Sequence, residues 1–341
     1  MSTPFTISAN QGTMGGGEVM LFAIAEAARA LNRDVTVVAP RTPGDVAEES
    51  KRRGFRTVEI EGRGAAAYLR GLRSWDRDHR RGLMWCNGLR PAVATVGHSD
   101  RVVELHQRPE GVLQLVARAA MWRTRRVVVP SASMAEVVPE AQVMWNWSDE
   151  VEIERIPREA GKPFLLGFLG RLSSDKGVPI LCDAMAELQR RQPGRYRLLL
   201  AGESRFVAPA DAERVTRAVD ALGGLVDRSG WVNRDEFFRA VDLAVFPSVW
   251  AEPFGLVVVE AMSAGVPFVV SDAGALSEVA GDGWVAQAGN AVHLADVIER
   301  AAQNPDRYID SSRRRWVELF SPRAGLARVE ALLDDVEPEA R

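Results

Sequence analysis

Short β-branched runs alternate with helical stretches along nearly the whole chain. In the first half, Phe5–Ala9, Asp34–Ala39, Arg56–Ile60, Leu83–Cys86, Arg101–Leu105, Arg126–Val129 and Gln142–Trp145 read as strands. Between the first two, Val19, Met20, Ala23, Ala27, Ala30 and Leu31 recur at helical spacing and predict a helix with one buried stripe. The second half repeats the pattern, with strands predicted at Phe164–Leu169, Arg197–Ala201, Leu243–Phe246 and Phe268–Ser271. Its predicted helices cover Val178–Arg191, Asp211–Leu222, Asp235–Ala240, Leu256–Ala264 and Ala291–Gln303. Such alternation predicts an α/β protein of parallel sheets covered by helices on both faces, since each helical crossover returns the chain to the same end of its sheet.

At 341 residues the chain is longer than one hydrophobic core usually supports, so two domains are expected. Glu150–Lys162 is charged and broken by Pro157 and Gly161, which suits a linker and puts the boundary near 155–163. The expected division is a first domain at 1–157, a second at 158–320, and a last helix in 321–341 whose start is signalled by Ser321-Pro322 and whose apolar stretch is Arg323–Leu333. No solenoid-period repeat or low-complexity tract interrupts this organisation.

Composition adds limits. With 46% apolar and 26% charged residues the chain reads as globular. Its two cysteines, Cys86 and Cys182, lie far apart in apolar runs and are expected as buried reduced thiols. Neither a charged-then-apolar leader nor a run of about eighteen apolar residues occurs, so a cytoplasmic protein is expected. Residues 51–126 hold 17 Lys or Arg against 7 Asp or Glu. That excess either serves a peripheral contact with an anionic membrane at its inner face, or fills solvated faces with arginine. Nucleic acid is not an expected partner. Only three of the 43 cationic residues are lysines, which makes Lys176 the more notable.

Three segments carry candidate chemistry. Gly15-Gly16-Gly17-Glu18 sits between the first strand and first helix, where glycines admit a close ligand and free N–H groups favour an anion. Gly170-Arg171-Leu172-Ser173-Ser174-Asp175-Lys176-Gly177 follows an apolar strand; Arg171 offers a planar fork and Lys176 a point charge to a diphosphate leaving group. Glu252-Pro253-Phe254-Gly255-Leu256 then opens a helix whose first N–H groups can meet phosphate, with Glu252 before it and Glu260 more than one turn inside. Glu252 can hydrogen-bond sugar hydroxyls, and Glu260 suits the vicinal hydroxyls of a ribose.

The two carboxylates eight positions apart around EPFG resemble the E-x7-E motif of retaining glycosyltransferases of family GT4, and the order of motifs is similar to that family from about residue 10 to 330. The resemblance implies a GT-B fold: two Rossmann-like domains facing across a cleft, with the C-terminal helix crossing back to the first. It implies an acceptor-binding first domain and a nucleotide-sugar-binding second domain. It also implies a retaining hexosyltransferase that takes UDP- or GDP-type sugars to a hydroxyl of a glycan, lipid-linked or secondary-metabolite acceptor. Residue by residue it assigns the donor hexose to Glu252, the ribose to Glu260, the diphosphate to Arg171 and Lys176, and the nucleobase to backbone groups at Trp231-Val232. Ser271-Asp272-Ala273-Gly274-Ala275 and Glu278 continue the family pattern, except that its common Gly-Gly pair is Ala273-Gly274 here. The alternatives are a phosphorylase or synthase of the same fold, or a non-catalytic partner subunit.

His106 closes a strand and is expected at the ligand-binding end of its sheet; the resemblance places it on the transferred sugar. His79, His98 and His293 are expected as surface or loop residues. Asp76-Arg77-Asp78 imitates a D-x-D metal motif but is expected as a solvated charged stretch neutralised by Arg73, Arg80 and Arg81. No cluster has metal-ligand spacing, so neither metal nor cofactor is expected. Trp250, two residues before Glu252, could face a sugar. The first half offers no convincing carboxylate to pair with Glu252, and no clear amphipathic anchor.

Overall fold

The computed structural model describes residues 2–337 except Ile156, Pro157, Ala160 and Phe206. Two compact units result: Met1–Trp147 with Pro322–Arg341, and Ser148–Ser321. In the first unit the strands are β1 (Thr3–Ala9), β2 (Arg33–Pro40), β3 (Arg56–Ile60), β4 (Leu83–Asn87), β5 (Arg101–Glu104), β6 (Arg126–Val129) and β7 (Gln142–Val143). Its helices α1 (Gly16–Ala30), α2 (Asp45–Arg52), α3 (Ala65–His79), α4 (Leu89–Ala94), α5 (Val112–Ala120) and α6 (Ala132–Ala135) intervene between them. The sheet is parallel throughout, in the order β3-β2-β1-β4-β5-β6-β7. Buried on both faces, its strands carry near-continuous apolar runs such as Val37-Val38-Ala39 and Leu83-Met84-Trp85-Cys86.

The second unit follows the same plan: β8 (Phe164–Leu169), α7 (Val178–Arg191), β9 (Tyr196–Ala201), α8 (Pro209–Asp220), β10 (Val226–Gly230), α9 (Arg234–Ala240) and β11 (Leu243–Phe246). It continues through α10 (Leu256–Ala264), β12 (Phe268–Ser271), α11 (Leu276–Ala280), β13 (Trp284–Ala286), α12 (Ala291–Gln303) and α13 (Ile309–Arg315) to a π-helical turn at Trp316–Phe320. This parallel sheet runs β10-β9-β8-β11-β12-β13. Leu166, Leu198, Leu243 and Val269 of its strands bury against Leu181, Met185 and Ile298 of α7 and α12. β10 and β13 are the strands that patterning missed. The first is an edge strand whose Asp227, Arg228 and Ser229 face solvent; the second is only three residues long.

The division between units follows Trp147 rather than 157, and Pro157 itself lies outside the described residues. The charged segment read as a linker begins by docking on the second unit. Ser148 N–H donates to the Phe320 carbonyl (3.1 Å) and Val151 N–H to Ser263 Oγ (2.8 Å), while Arg313 pairs with Glu150 at 2.7 Å. The final helix α14 (Pro322–Val336) packs on α1 of the first unit, and an Arg33–Glu337 ion pair of 2.6 Å fixes its end.

The DRD segment also departs from expectation, because α3 carries Asp76 inward. Its carboxylate is 3% exposed and pairs with Arg80 at 2.5 Å and with His98, so it is a buried structural anion; Asp78 remains exposed, beside Arg77. Arg101 is likewise fully buried, donating to the carbonyls of Ala92, His98 and Trp122. With Lys51 on Glu59 and Arg52 and Arg53 on Glu49, much of the positive excess of 51–126 is internally compensated. His79 is exposed at the end of α3, and His293 accepts from Gln287 N–H ahead of α12. Both cysteines are buried and unpaired.

Candidate active site

Each sheet has one point where its connections reverse direction. In the second unit β8 leads on to β9, whereas β11, its neighbour on the other side, leads on to β12. The loops leaving the carboxyl ends of β8 and β11 diverge, and that opening is where parallel α/β sheets take ligands. The Arg171–Lys176 loop leaves β8 and the Ser248–Gly255 loop leaves β11.

These two loops are joined by backbone and side chain. Val249 N–H donates to the Asp175 carbonyl at 2.9 Å, and Lys176 Nζ forms an ion pair with Glu252 Oε1. Ser248 Oγ donates to the same carboxylate oxygen at 2.8 Å. Glu252 is 6% exposed, and these two donors give its buried carboxyl group its partners. The Trp250 ring centroid lies 5.6 Å from Lys176 Nζ, placing a π-face against the cation. Arg171 is more open, its guanidinium held by Asp175 at 2.6 Å. Behind Glu252, Ala275 N–H donates to its carbonyl at 2.8 Å, and Gly274 sits at φ +60° where a Cβ would lie 2.4 Å from the Glu252 backbone. Of the Ala273-Gly274 pair, the glycine that remains is the one this loop requires.

Gly255 caps α10, and Leu256 is its first residue. Phe254 turns its ring inward onto Phe320 (centroids 5.7 Å apart), leaving only its backbone for a ligand. Glu260 lies on the second turn, with Arg234 of α9 at 3.4 Å. Burial pushes its carboxyl above the usual range, and Arg234 partly opposes the shift. Trp231, 77% exposed, and the half-buried Val232 follow β10, where Gly230 accepts from Gly202 N–H at 2.7 Å.

In the first unit the reversal falls between β1 and β4. Gly15 caps α1 and Gly16 and Gly17 open it. A Cβ on Gly17 would lie 3.2 Å from His106 Cδ2, so the glycine lets the imidazole ring pack against this turn. Asn87, at the end of β4, joins the two: its Nδ2 donates to the Gly17 carbonyl (3.0 Å), leaving Oδ1 to face His106 Nε2 (2.8 Å). With the Asn87 amide nitrogen engaged by Gly17, Nε2 is the donor in this contact.

Glu104, fully buried at the end of β5, binds Trp85 Nε1 (2.8 Å) and lies 3.7 Å from His106 Nε2. Burial raises its carboxyl, opposed by His106 and by the Trp85 hydrogen bond. Glu18 is also buried in the first turn of α1; burial pushes it up to about 7, although its backbone and Gln11 donate to it. The first half thus holds two buried carboxylates that sequence reasoning passed over. Glu104 had a signal, a charge inside the apolar run Val102-Val103-Glu104-Leu105.

Comparison with known proteins fits this geometry. Residues 163–304 match the family described as Glycosyl transferases group 1. A phosphatidyl-myo-inositol mannosyltransferase of Mycobacterium leprae is 26% identical over 338 residues, covering 89% of this chain and 86% of that protein. The chain is similar to the group 1 glycosyltransferases. An uncharacterized glycosyltransferase of Methanocaldococcus jannaschii is 30% identical over 143 residues, 41% of this chain and 35% of that protein. The chain spans about a third of the length of that relative and most of the M. leprae one. HepE of Anabaena shares the fold with a TM-score of 0.83 and 20% identity, covering 96% of this chain and 98% of its own. The two Rossmann-like units have the GT-B fold.

Proposed function

We propose that this chain is a group 1 glycosyltransferase that moves a hexosyl residue from a UDP- or GDP-type sugar to a hydroxyl acceptor, with retention of anomeric configuration. The observation that carries this reading is the Lys176–Glu252 pair at the β8/β11 opening beside the N-terminus of α10. It brings together a cation suited to phosphate, a carboxylate suited to sugar hydroxyls, and N–H groups that favour an anion.

In this reading the bond between the anomeric carbon and the diphosphate oxygen breaks, and its electron pair stays on the diphosphate. Arg171, Lys176 and the first N–H groups of α10 stabilise that charge without a divalent metal. The acceptor oxygen bonds to the anomeric carbon from the same face, and its proton passes to the departing phosphate. Glu252 orients the hexose, Glu260 the ribose, and the backbone at Trp231-Val232 the base. On the first unit, Gly15, Gly16 and Gly17 are assigned to the donor diphosphate and the acceptor, and His106 to the transferred sugar. Two relatives support a sugar substrate: HepE crystallised in complex with UDP and glucose, and the M. leprae protein is named a mannosyltransferase.

The test is a panel of nucleoside diphosphate sugars, scored by thermal shift and by product anomer in NMR. Stabilisation by at least one, and an unchanged anomeric configuration in its product, are expected. No shift with any, or an inverted product, overturns the proposal. Transfer is expected to persist in excess EDTA; loss reversed by Mg²⁺ or Mn²⁺ would remove its metal-free part.

A further inference from the structure

Helix α5 of the first unit turns its small residues inward and its large apolar residues outward. Ala117 and Ala120 are buried, whereas Val112 is 76%, Leu115 71% and Trp122, just past the helix, 62% exposed. Val112, Leu115, Ala119 and Trp122 stand at i, i+3, i+7 and i+10, within an arc of about 80° at helical pitch. Single exposed apolar residues are ordinary, but a continuous stripe of them marks an interaction face.

Charge decides what the stripe meets. No acidic residue occurs from Gly111 to Val127, while Arg118, Arg123, Arg125 and Arg126 all do. Arg125 and Arg126 are paired with Asp100 and Asp335; Arg118 and Arg123 carry no ion pair among the described residues. Arg118, Arg125, Arg126 and Trp122 line an open recess of about 350 Å³ beside the helix end, with Glu140 as its one carboxylate. A second copy of this chain is a poor occupant, because two-fold pairing of the stripe would bring the arginines of both copies together with no acid on the helix to meet them. An anionic lipid surface suits both features, taking apolar side chains at the acyl boundary and arginines at its phosphates. No described helix is long and apolar enough to cross a membrane, so the contact is one of lying on the surface.

We propose that α5 docks this protein on an anionic membrane surface, Val112, Leu115 and Trp122 entering the interface and Arg118 and Arg123 meeting lipid phosphates. The docking stands apart from the transfer reaction and is tested without it.

Full-length protein is floated with phosphatidylcholine vesicles, with or without about one third phosphatidylglycerol. Partition into the anionic vesicles is expected to exceed that into neutral ones by at least about tenfold and to weaken as salt is raised. Leu115→Glu and Trp122→Glu are each expected to lower anionic partition at least about tenfold, with melting temperature unchanged because both positions are exposed. Arg118→Glu with Arg123→Glu is expected to weaken it and flatten its salt dependence. Equal partition into both vesicle types, or wild-type partition of Leu115→Glu, overturns the proposal. So does a concentration-dependent dimer that Leu115→Glu dissolves while vesicle binding is absent.

Discussion

Asn87 accepts a 2.8 Å hydrogen bond from His106 Nε2 while its own amide donates to the glycine turn, so one side chain both makes Nε2 the donor of the ring and sets its register with Gly17. The arrangement makes Asn87 a positioning residue. Asn87→Ala should release the ring and lower kcat about tenfold to a hundredfold, because misplacement of a transition-state contact costs turnover more than binding. Nucleoside diphosphate affinity, assigned mainly to the second unit, should be nearly unchanged by calorimetry. An equal loss of nucleotide affinity would show that the substitution acts through general loosening.

The second prediction concerns the Lys176–Glu252 pair. Lys176→Ala should lower turnover by orders of magnitude, since in the proposed reaction the cation acts on charge that grows in the transition state. It should also cost about 2 kcal/mol of stability, less than for a fully enclosed pair because Lys176 keeps some solvent contact, by leaving the Glu252 carboxylate short of a partner. Combining Lys176→Met with Glu252→Gln should recover most of that stability and none of the turnover. A double variant as unstable as Lys176→Ala would mean that the loss arises from packing.

What patterning could and could not reach follows from the kind of signal each feature leaves. β8, β11, β12, α7, α10 and α12 have the boundaries predicted for them, because buried parallel strands are unbroken apolar runs and their helices have clear breaks. The Arg171–Lys176 and Glu252–Glu260 segments stand out in the sequence because each is contiguous and lies at a strand–helix junction. Asn87, Glu104 and His106 come together only through the pairing of β4 with β5, and nothing local marks Asn87. Asp76 was misread because helix α3 rotates it inward while leaving Asp78 outside. The stripe on α5 was not recognised as an anchor, and an apolar helical stripe by itself does not say whether core or solvent faces it.

Glu260 and Arg234 allow the ribose and sugar assignments to be separated. Glu260→Gln should weaken nucleoside diphosphate binding about tenfold and raise the donor KM to a similar degree with little change in kcat, because ribose contacts are alike in ground and transition states. Glu252→Gln should do the reverse, lowering kcat with nucleotide affinity nearly unchanged. Calorimetry paired with steady-state rates tests the division; weaker nucleotide binding in Glu252→Gln with normal binding in Glu260→Gln would exchange the two roles.

Glu18 predicts a pH dependence of stability that is unusual in sign for a carboxylate. Burial lifts it from an ordinary 4.5 to about 7 in the folded chain, despite hydrogen bonds from its own backbone and from Gln11. Below the lower value both folded and unfolded states hold the proton, and no penalty arises. As pH rises from there to about 7, the unfolded chain gives up its proton first, so the folded state binds more protons and stability falls. The loss should approach about 3 kcal/mol and level off above the folded value, because a tenfold difference in proton affinity between the two states corresponds to about 1.4 kcal/mol. Glu18→Gln keeps the acceptor for Gln11 and removes the titration. It should melt at a temperature similar to wild type near pH 4.5, and several degrees higher at pH 8, as read by thermal unfolding across that range. Parallel pH profiles for wild type and Glu18→Gln would mean that Glu18 ionises in the folded chain near its ordinary 4.5, its buried carboxylate having found compensation in the first turn of α1.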